Sequence, residues 1–95
     1  MHKLRLSDEL AELIRGMHPL LKSKMRAALT MIVQNPASGK ALKEELAGLR
    51  SFRVKRLRIV YRLSPDKLVE IVAVGPRKKI YEETYRLIKK PKRKK

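Results

Sequence analysis

Two neighbouring stretches of the chain place a cation at nearly every second position of a strand-like run. In residues 52–55, Phe52 and Val54 fall on one side and Arg53 and Lys55 on the other. In residues 57–63, Leu57, Ile59, Tyr61 and Leu63 alternate with Arg58, Val60 and Arg62. A period of two marks a β-strand with one face on a core. The runs lie so close that an antiparallel hairpin about Lys55-Arg56 is the natural join, although that pair lacks the Asn-Gly or Asp-Gly chemistry tight turns prefer. Cations opposite one another on a sheet repel. Such a face is costly unless something anionic sits on it, and the pattern implies a surface that handles a phosphodiester.

The surrounding chain supplies a small α+β frame. Alternation in residues 2–6, with Lys3 and Arg5 opposed to Leu4 and Leu6, predicts a short first strand. Ser7 is placed to cap a helix whose first turn carries Asp8 and Glu9, where a helix dipole favours acids. Leu10, Leu13, Ile14 and Met17 give its apolar stripe, and Gly16 weakens its end. Pro19 suits the first turn of a second helix. Leu21, Met25, Ala28, Leu29, Ile32 and Val33 form the second stripe, and Asn35-Pro36 ends it. Residues 37–49 are irregular: Leu42, Leu46 and Leu49 fit either one helical turn or anchors for an approach to the sheet. Ser64-Pro65-Asp66-Lys67 is a turn. Residues 68–74 are a nearly continuous β-branched run, as for a strand covered on both faces, and Gly75-Pro76 ends it. A last helix starts at Arg77, with Ile80, Thr84, Leu87 and Ile88 on one stripe and Tyr81 and Tyr85 beside it. The expected organisation is one domain over residues 1–90 and a basic, disordered tail over 91–95.

Charge and cysteine content narrow the partners. The chain has 95 residues, 25 Lys and Arg against nine acids, and a net charge of +16. Residues 1–49 hold eight bases and five acids, whereas 50–95 hold 17 and four, so the second half carries +13. That asymmetry fits a polyanion, a membrane surface or an acidic protein partner. There is no cysteine, hence no disulfide, thiolate chemistry or Cys-based metal site; an intracellular, cytoplasmic protein is the expectation. No apolar run is long enough to span a membrane, and residues 1–6 are too short and charged for a signal-peptide core.

Several catalytic schemes are excluded by residue type. His2 and His18 are the only histidines, with no metal-binding cluster around them. The four glycines are scattered and make no phosphate loop. Ser7, Ser23, Ser38, Ser51 and Ser64 lack a nearby base of the usual kind. A cofactor-free phosphodiester reaction remains open, because RNA carries its own nucleophile in the 2′-hydroxyl. Fixed Arg and Lys side chains can then stabilise the developing charge, and a lysine or tyrosine with a lowered pKa can assist with protons.

The run Gly48-Leu49-Arg50-Ser51-Phe52-Arg53-Val54, then Arg58-Ile59-Val60-Tyr61-Arg62-Leu63, then Val74-Gly75-x-Arg77-x-x-x-Tyr81 resembles the RelE/ParE superfamily of toxins from toxin–antitoxin pairs. The resemblance covers nearly the whole chain. It implies a short N-terminal strand, a helical hairpin, a curved antiparallel sheet and a short C-terminal helix. It also implies a metal-independent, ribosome-dependent endoribonuclease that cuts mRNA in the ribosomal A site and is held by a cognate antitoxin. Carried over by motif, Arg58 and Arg77 would stabilise transition-state charge. Tyr81 would stack on a base or handle a proton. Arg53 and Lys55 would contact phosphate or serve as base, and Arg56, Arg62, Lys78 and Lys79 would bind RNA around them. The chain departs from the family at the turn, where relatives carry glycine at the position of Lys55 and an aromatic at that of Leu57, so Lys55 is either a site lysine or a turn residue. No histidine matches the Glu/His pair of other branches. Two other readings stay in view: a ParE-like toxin that inhibits DNA gyrase without cutting nucleic acid, and a catalytically silent basic module that binds an acidic antitoxin.

Overall fold

The computed structural model describes residues 2–89, and the side chains of all of these except Arg77, Lys78, Glu83, Leu87 and Lys89. The tail expected over 91–95 lies outside the described residues. The elements are β1 (Lys3–Arg5), α1 (Asp8–Arg15), α2 (Pro19–Gln34), β2 (Lys40–Ala41), β3 (Arg50–Val54), β4 (Leu57–Leu63), β5 (Leu68–Pro76) and α3 (Arg77–Lys89). The expected α+β order is observed, with β2 and two short 3-10 turns, Pro36–Ser38 and Glu44–Leu46, in the irregular stretch. The five strands form one sheet in the order β1-β5-β4-β3-β2. β1 joins β5 in parallel, and every other pairing is antiparallel.

Capping chemistry sets the helical hairpin. The Ser7 Oγ accepts the Leu10 N–H at 3.2 Å, and Gly16 closes α1. His18 caps α2: its Nδ1 accepts the Leu20 N–H at 3.2 Å, ahead of Pro19 in the first turn. The hairpin covers one face of the sheet. Met25, Ala28, Leu29 and Ile32 of α2 and Ile14 of α1 pack on Val54, Ile59, Tyr61, Val69, Ile71 and Val74. Of the expected α1 stripe, Leu13 turns outward and is 47% exposed; on β4, Leu63 is 50% exposed.

The opposite face holds a second, smaller core of Leu49, Val60, Ala73 and Ile80, flanked by Leu42, Leu46, Val72 and Tyr81. β5 is therefore covered on both sides, as its apolar run required. The register shifts between Val60 and Tyr61 because β5 carries an extra residue there, Val72, so that Val72 and Ala73 both fall on the α3 side while Ile71 and Val74 face the helices. Thr84 of α3 is fully buried on this side, and its Oγ1 has no hydrogen-bond partner among the described residues. Ile88, expected on the same stripe, is 38% exposed.

One buried tyrosine ties the irregular stretch to the sheet. The Tyr61 hydroxyl donates to the Pro36 carbonyl at 2.6 Å and accepts the Gly39 N–H at 2.9 Å. A Cβ at Gly39 would stand 2.3 Å from that hydroxyl oxygen, so the approach requires glycine. Arg50 adds a second tie, donating to the Gly39 carbonyl at 2.7 Å.

Candidate nucleic-acid interface

The strands contain seven cations, Lys3, Arg5, Lys40, Arg50, Arg53, Arg58 and Arg62, and a single acid, Glu70. Register decides which cations are compensated. Arg53 and Arg58 are direct cross-strand partners on β3 and β4, and on the other side Arg58 is opposite Gly75 of β5. Ser51 and Val60 form the rung two residues away. Side chains alternate along a strand, so Arg53 and Arg58 stand on the face that carries Val60 and α3. No carboxylate among the described side chains pairs with either arginine. Arg53 is exposed, and its Nε donates to the Lys55 carbonyl at 3.2 Å; Arg58 is half-buried. Two guanidiniums on opposed positions cost up to about 1 kcal/mol. They also offer a row of N–H donors suited to phosphate oxygens.

α3 begins where this rung ends. Arg77 follows Pro76 directly, two residues beyond Gly75, so its backbone lies at the same edge of the site as Arg58. One turn on, Tyr81 is half-buried, and its hydroxyl donates to the Ser51 Oγ at 3.1 Å. The structure thus brings Arg53, Arg58 and Tyr81 to one end of one sheet face. The side chains of Arg77 and Lys78 lie outside the described ones. Lys79 is exposed on α3, and Arg56 is exposed at the tip of the β3–β4 hairpin.

Lys55 stands apart from this group. Val54 pairs with Leu57, which leaves Lys55 and Arg56 as a two-residue loop, and Lys55 has φ of +57°. Its side chain is exposed and lines a shallow depression with His18, Leu20, Leu21 and Lys24 near the start of α2. Arg62 is also separate. Its Nε meets Glu70 at 2.8 Å, and Arg5 reaches the other oxygen of the same carboxylate at 3.4 Å. These charges hold the Glu70 carboxyl below its usual range, chiefly through the Arg62 hydrogen bond, against the opposing effect of burial.

Two participants are not singled out by sequence alone. Ser51 looks isolated along the chain because its partner lies 30 residues on; its place two residues before Arg53, on the same strand face, is the one signal available. Glu70 interrupts the apolar run of β5, and that interruption is the signal for its pairing. Among the described residues no group of three or more His, Cys, Asp or Glu side chains could hold a metal. No described helix is long and apolar enough to cross a membrane.

Comparison with known proteins gives a consistent picture. Residues 5–81 match the family model described as the ParE toxin of the type II toxin–antitoxin system parDE. The structure is similar to the RelBE2 toxin–antitoxin complex of Mycobacterium tuberculosis, with 25% identity, a TM-score of 0.67, and coverage of 80% of this chain and 98% of that one. It is also similar to the isolated E. coli RelE toxin, with 17% identity, a TM-score of 0.66, and coverage of 93% and 99%. A free-state E. coli RelE carrying two arginine-to-alanine changes gives 16% identity, a TM-score of 0.68, and coverage of 88% and 90%. No curated protein matches in sequence.

Proposed function

Because the chain belongs to the ParE toxin family of type II toxin–antitoxin systems, we propose that this toxin acts by cutting mRNA on the ribosome, the activity that its resemblance to RelE-like toxins implies. The observation that carries the reading is the open Arg53–Arg58 rung with the Tyr81 hydroxyl beside it. The reaction asks for little else. The ribose 2′-oxygen gives its proton to water and attacks the adjacent phosphorus, the bond from phosphorus to the 5′-oxygen breaks as that oxygen takes a proton from water, and the products are a 2′,3′-cyclic phosphate and a 5′-hydroxyl. Arg58, with Arg77 at the edge of the rung, stabilises charge on the phosphorane oxygens. Arg53 contacts a neighbouring phosphate, since a guanidinium does not give up its proton. Tyr81 stacks on a base or receives the 2′-hydroxyl. Lys55, Arg56, Lys78 and Lys79 add electrostatic attraction around the site. Their distribution also suits an acidic or amphipathic segment of a cognate antitoxin, a partner supported by similarity to a toxin–antitoxin complex.

A second reading, inhibition of DNA gyrase without cleavage, stays open for a member of the ParE toxin family. Primer extension on mRNA in a translating extract, run beside a gyrase supercoiling assay, separates the two. Codon-periodic cuts that disappear in Arg58→Ala and Arg77→Ala are expected. Intact mRNA together with poisoned gyrase would overturn the cleavage reading.

A further inference from the structure

The buried hydroxyl beside Tyr81 has a use that the cleavage reading leaves open. We infer that Ser51 is a positioning residue that fixes the Tyr81 oxygen and turns it into a hydrogen-bond acceptor for the ribose 2′-hydroxyl. This rests on the reading that Tyr81 belongs to the RNA site.

Ser51 is 3% exposed and sits inside β3, paired with Lys40 of β2 on one side and Val60 of β4 on the other. Its neighbour Arg50 is tied to the Gly39 carbonyl, and Tyr61 of β4 holds Pro36 and Gly39. The Ser51 Oγ is thus mounted on backbone held from several directions. Tyr81 is less constrained. It stands in the first turns of α3, half-buried, next to the fully buried Ile80. Its ring packs against the second core, and with its hydroxyl donating to the Ser51 Oγ at 3.1 Å it cannot swing without breaking that bond.

The direction of the bond matters for recognition. A phenol has one proton to donate and is the stronger donor beside an alkyl hydroxyl, so in this pair the phenol proton points to the Ser51 Oγ. The Tyr81 oxygen is left with lone pairs for any ligand, so it suits a donor and not a phosphate oxygen. Arg53, one strand repeat or about 7 Å along from Ser51, carries the donors for phosphate. The two chemistries sit side by side, as a ribose with a 2′-hydroxyl and its adjacent phosphate would require. DNA lacks that donor.

The test couples spectroscopy to kinetics. In protein labelled with ¹³C at tyrosine Cζ, Ser51→Ala is expected to move the Tyr81 resonance and leave those of Tyr61 and Tyr85 in place, and Ser51→Thr is expected to restore it. In single-turnover cleavage of ribosome-bound mRNA, Ser51→Ala should slow the chemical step roughly tenfold with ribosome affinity unchanged. The Ser51→Ala/Tyr81→Phe double variant should be no slower than Tyr81→Phe. An unmoved Tyr81 resonance, or losses that multiply in the double variant, would overturn the inference. If the wild-type protein cuts no mRNA, the cleavage reading fails, and the resonance, with its response to added 2′-hydroxyl or 2′-deoxy oligonucleotide, decides this inference alone.

Discussion

Arg58 and Arg62 lie on the same strand, four residues or about 13 Å apart, and point to the same side of the sheet. Their cross-strand neighbours on β5 differ. Arg62 faces Glu70 and is bonded to it at 2.8 Å, with Arg5 on the far side of the same carboxylate. Arg58 faces Gly75, and its other neighbour is Arg53. One rung reads cation, anion, cation across three strands; the other reads cation, cation, no side chain. The first arrangement is self-compensating and contributes to the fold. The second is unfavourable in isolation and would be relieved by an anion from outside. Residue type therefore does not separate a compensated arginine from an uncompensated one on this sheet, and its partner across the strand does.

The largest expected effect is an asymmetry between the two arginines. Removing one preorganised donor to a developing oxyanion typically lowers a rate by about 10² to 10³-fold. Arg58→Ala is expected to reduce mRNA cleavage by that order while leaving thermal stability unchanged or slightly higher, because Arg53 loses a like-charged neighbour. Arg62→Ala should cut within a few-fold of wild type and melt slightly earlier. Equal kinetic losses in the two variants, measured by single-turnover cleavage and thermal melts, would erase the distinction between the rungs.

Glu70 permits the converse operation. Glu70→Gln converts the compensated rung into a second uncompensated one, with Arg5 and Arg62 released toward solvent. Non-specific RNA affinity should rise by up to roughly tenfold, and the dependence of log affinity on log salt should steepen by about one. A titration at several salt concentrations checks both. An unchanged slope would mean that Arg62 and Arg5 lie outside the RNA footprint, which would shrink the interface to the Arg53–Arg58 end.

The strand alternation around residues 52–63 makes the arginine face legible in the sequence, because a period of two assigns faces without reference to partners. The same holds for the helical hairpin, whose Ser7 cap and Pro19 start are local signals. What stays hidden depends on pairing between distant segments. The parallel addition of β1 to β5 and the Ser51–Tyr81 bond each join residues 30 or more positions apart. Residues 37–49 resist reading because their order comes from Tyr61 and Arg50, not from any period of their own. Resemblance to a toxin family selects Arg58 and Tyr81; it does not say that Glu70 neutralises Arg62.

Lys55 tests the border of the open rung at a smaller scale. Its φ of +57° is a left-handed conformation in a two-residue hairpin loop. For a residue with a Cβ that conformation costs roughly 1–2 kcal/mol, which glycine avoids at some expense in chain entropy. Lys55→Gly is expected to raise stability by up to about 1 kcal/mol in urea unfolding, with cleavage kept within a few-fold. A loss of cleavage beyond tenfold in a stabilised protein would instead bring the Lys55 amine into the site and extend the open rung around the hairpin.

The smallest expected effect is the pH signature of the compensated rung. The Glu70 carboxyl is held below its usual range, first by the hydrogen bond from Arg62, which together with the Arg62 and Arg5 charges and the Arg5 bond outweighs burial. In the unfolded chain those partners are gone and the group returns to its ordinary value. The folded protein thus binds this proton less readily than the unfolded one, and stability from Glu70 rises with pH. It is fully present above the unfolded pKa and is lost as pH falls through the lower folded pKa. The Arg5 and Arg62 side chains are 69% and 53% exposed, so solvent screening limits the effect to about 1 kcal/mol or less. Urea unfolding of wild type and Glu70→Gln should show a gap at neutral pH that closes in acid and narrows with added salt. A gap that persists unchanged into acid would assign the stabilisation to packing, and the contrast between the two rungs would then rest on shape and not on charge.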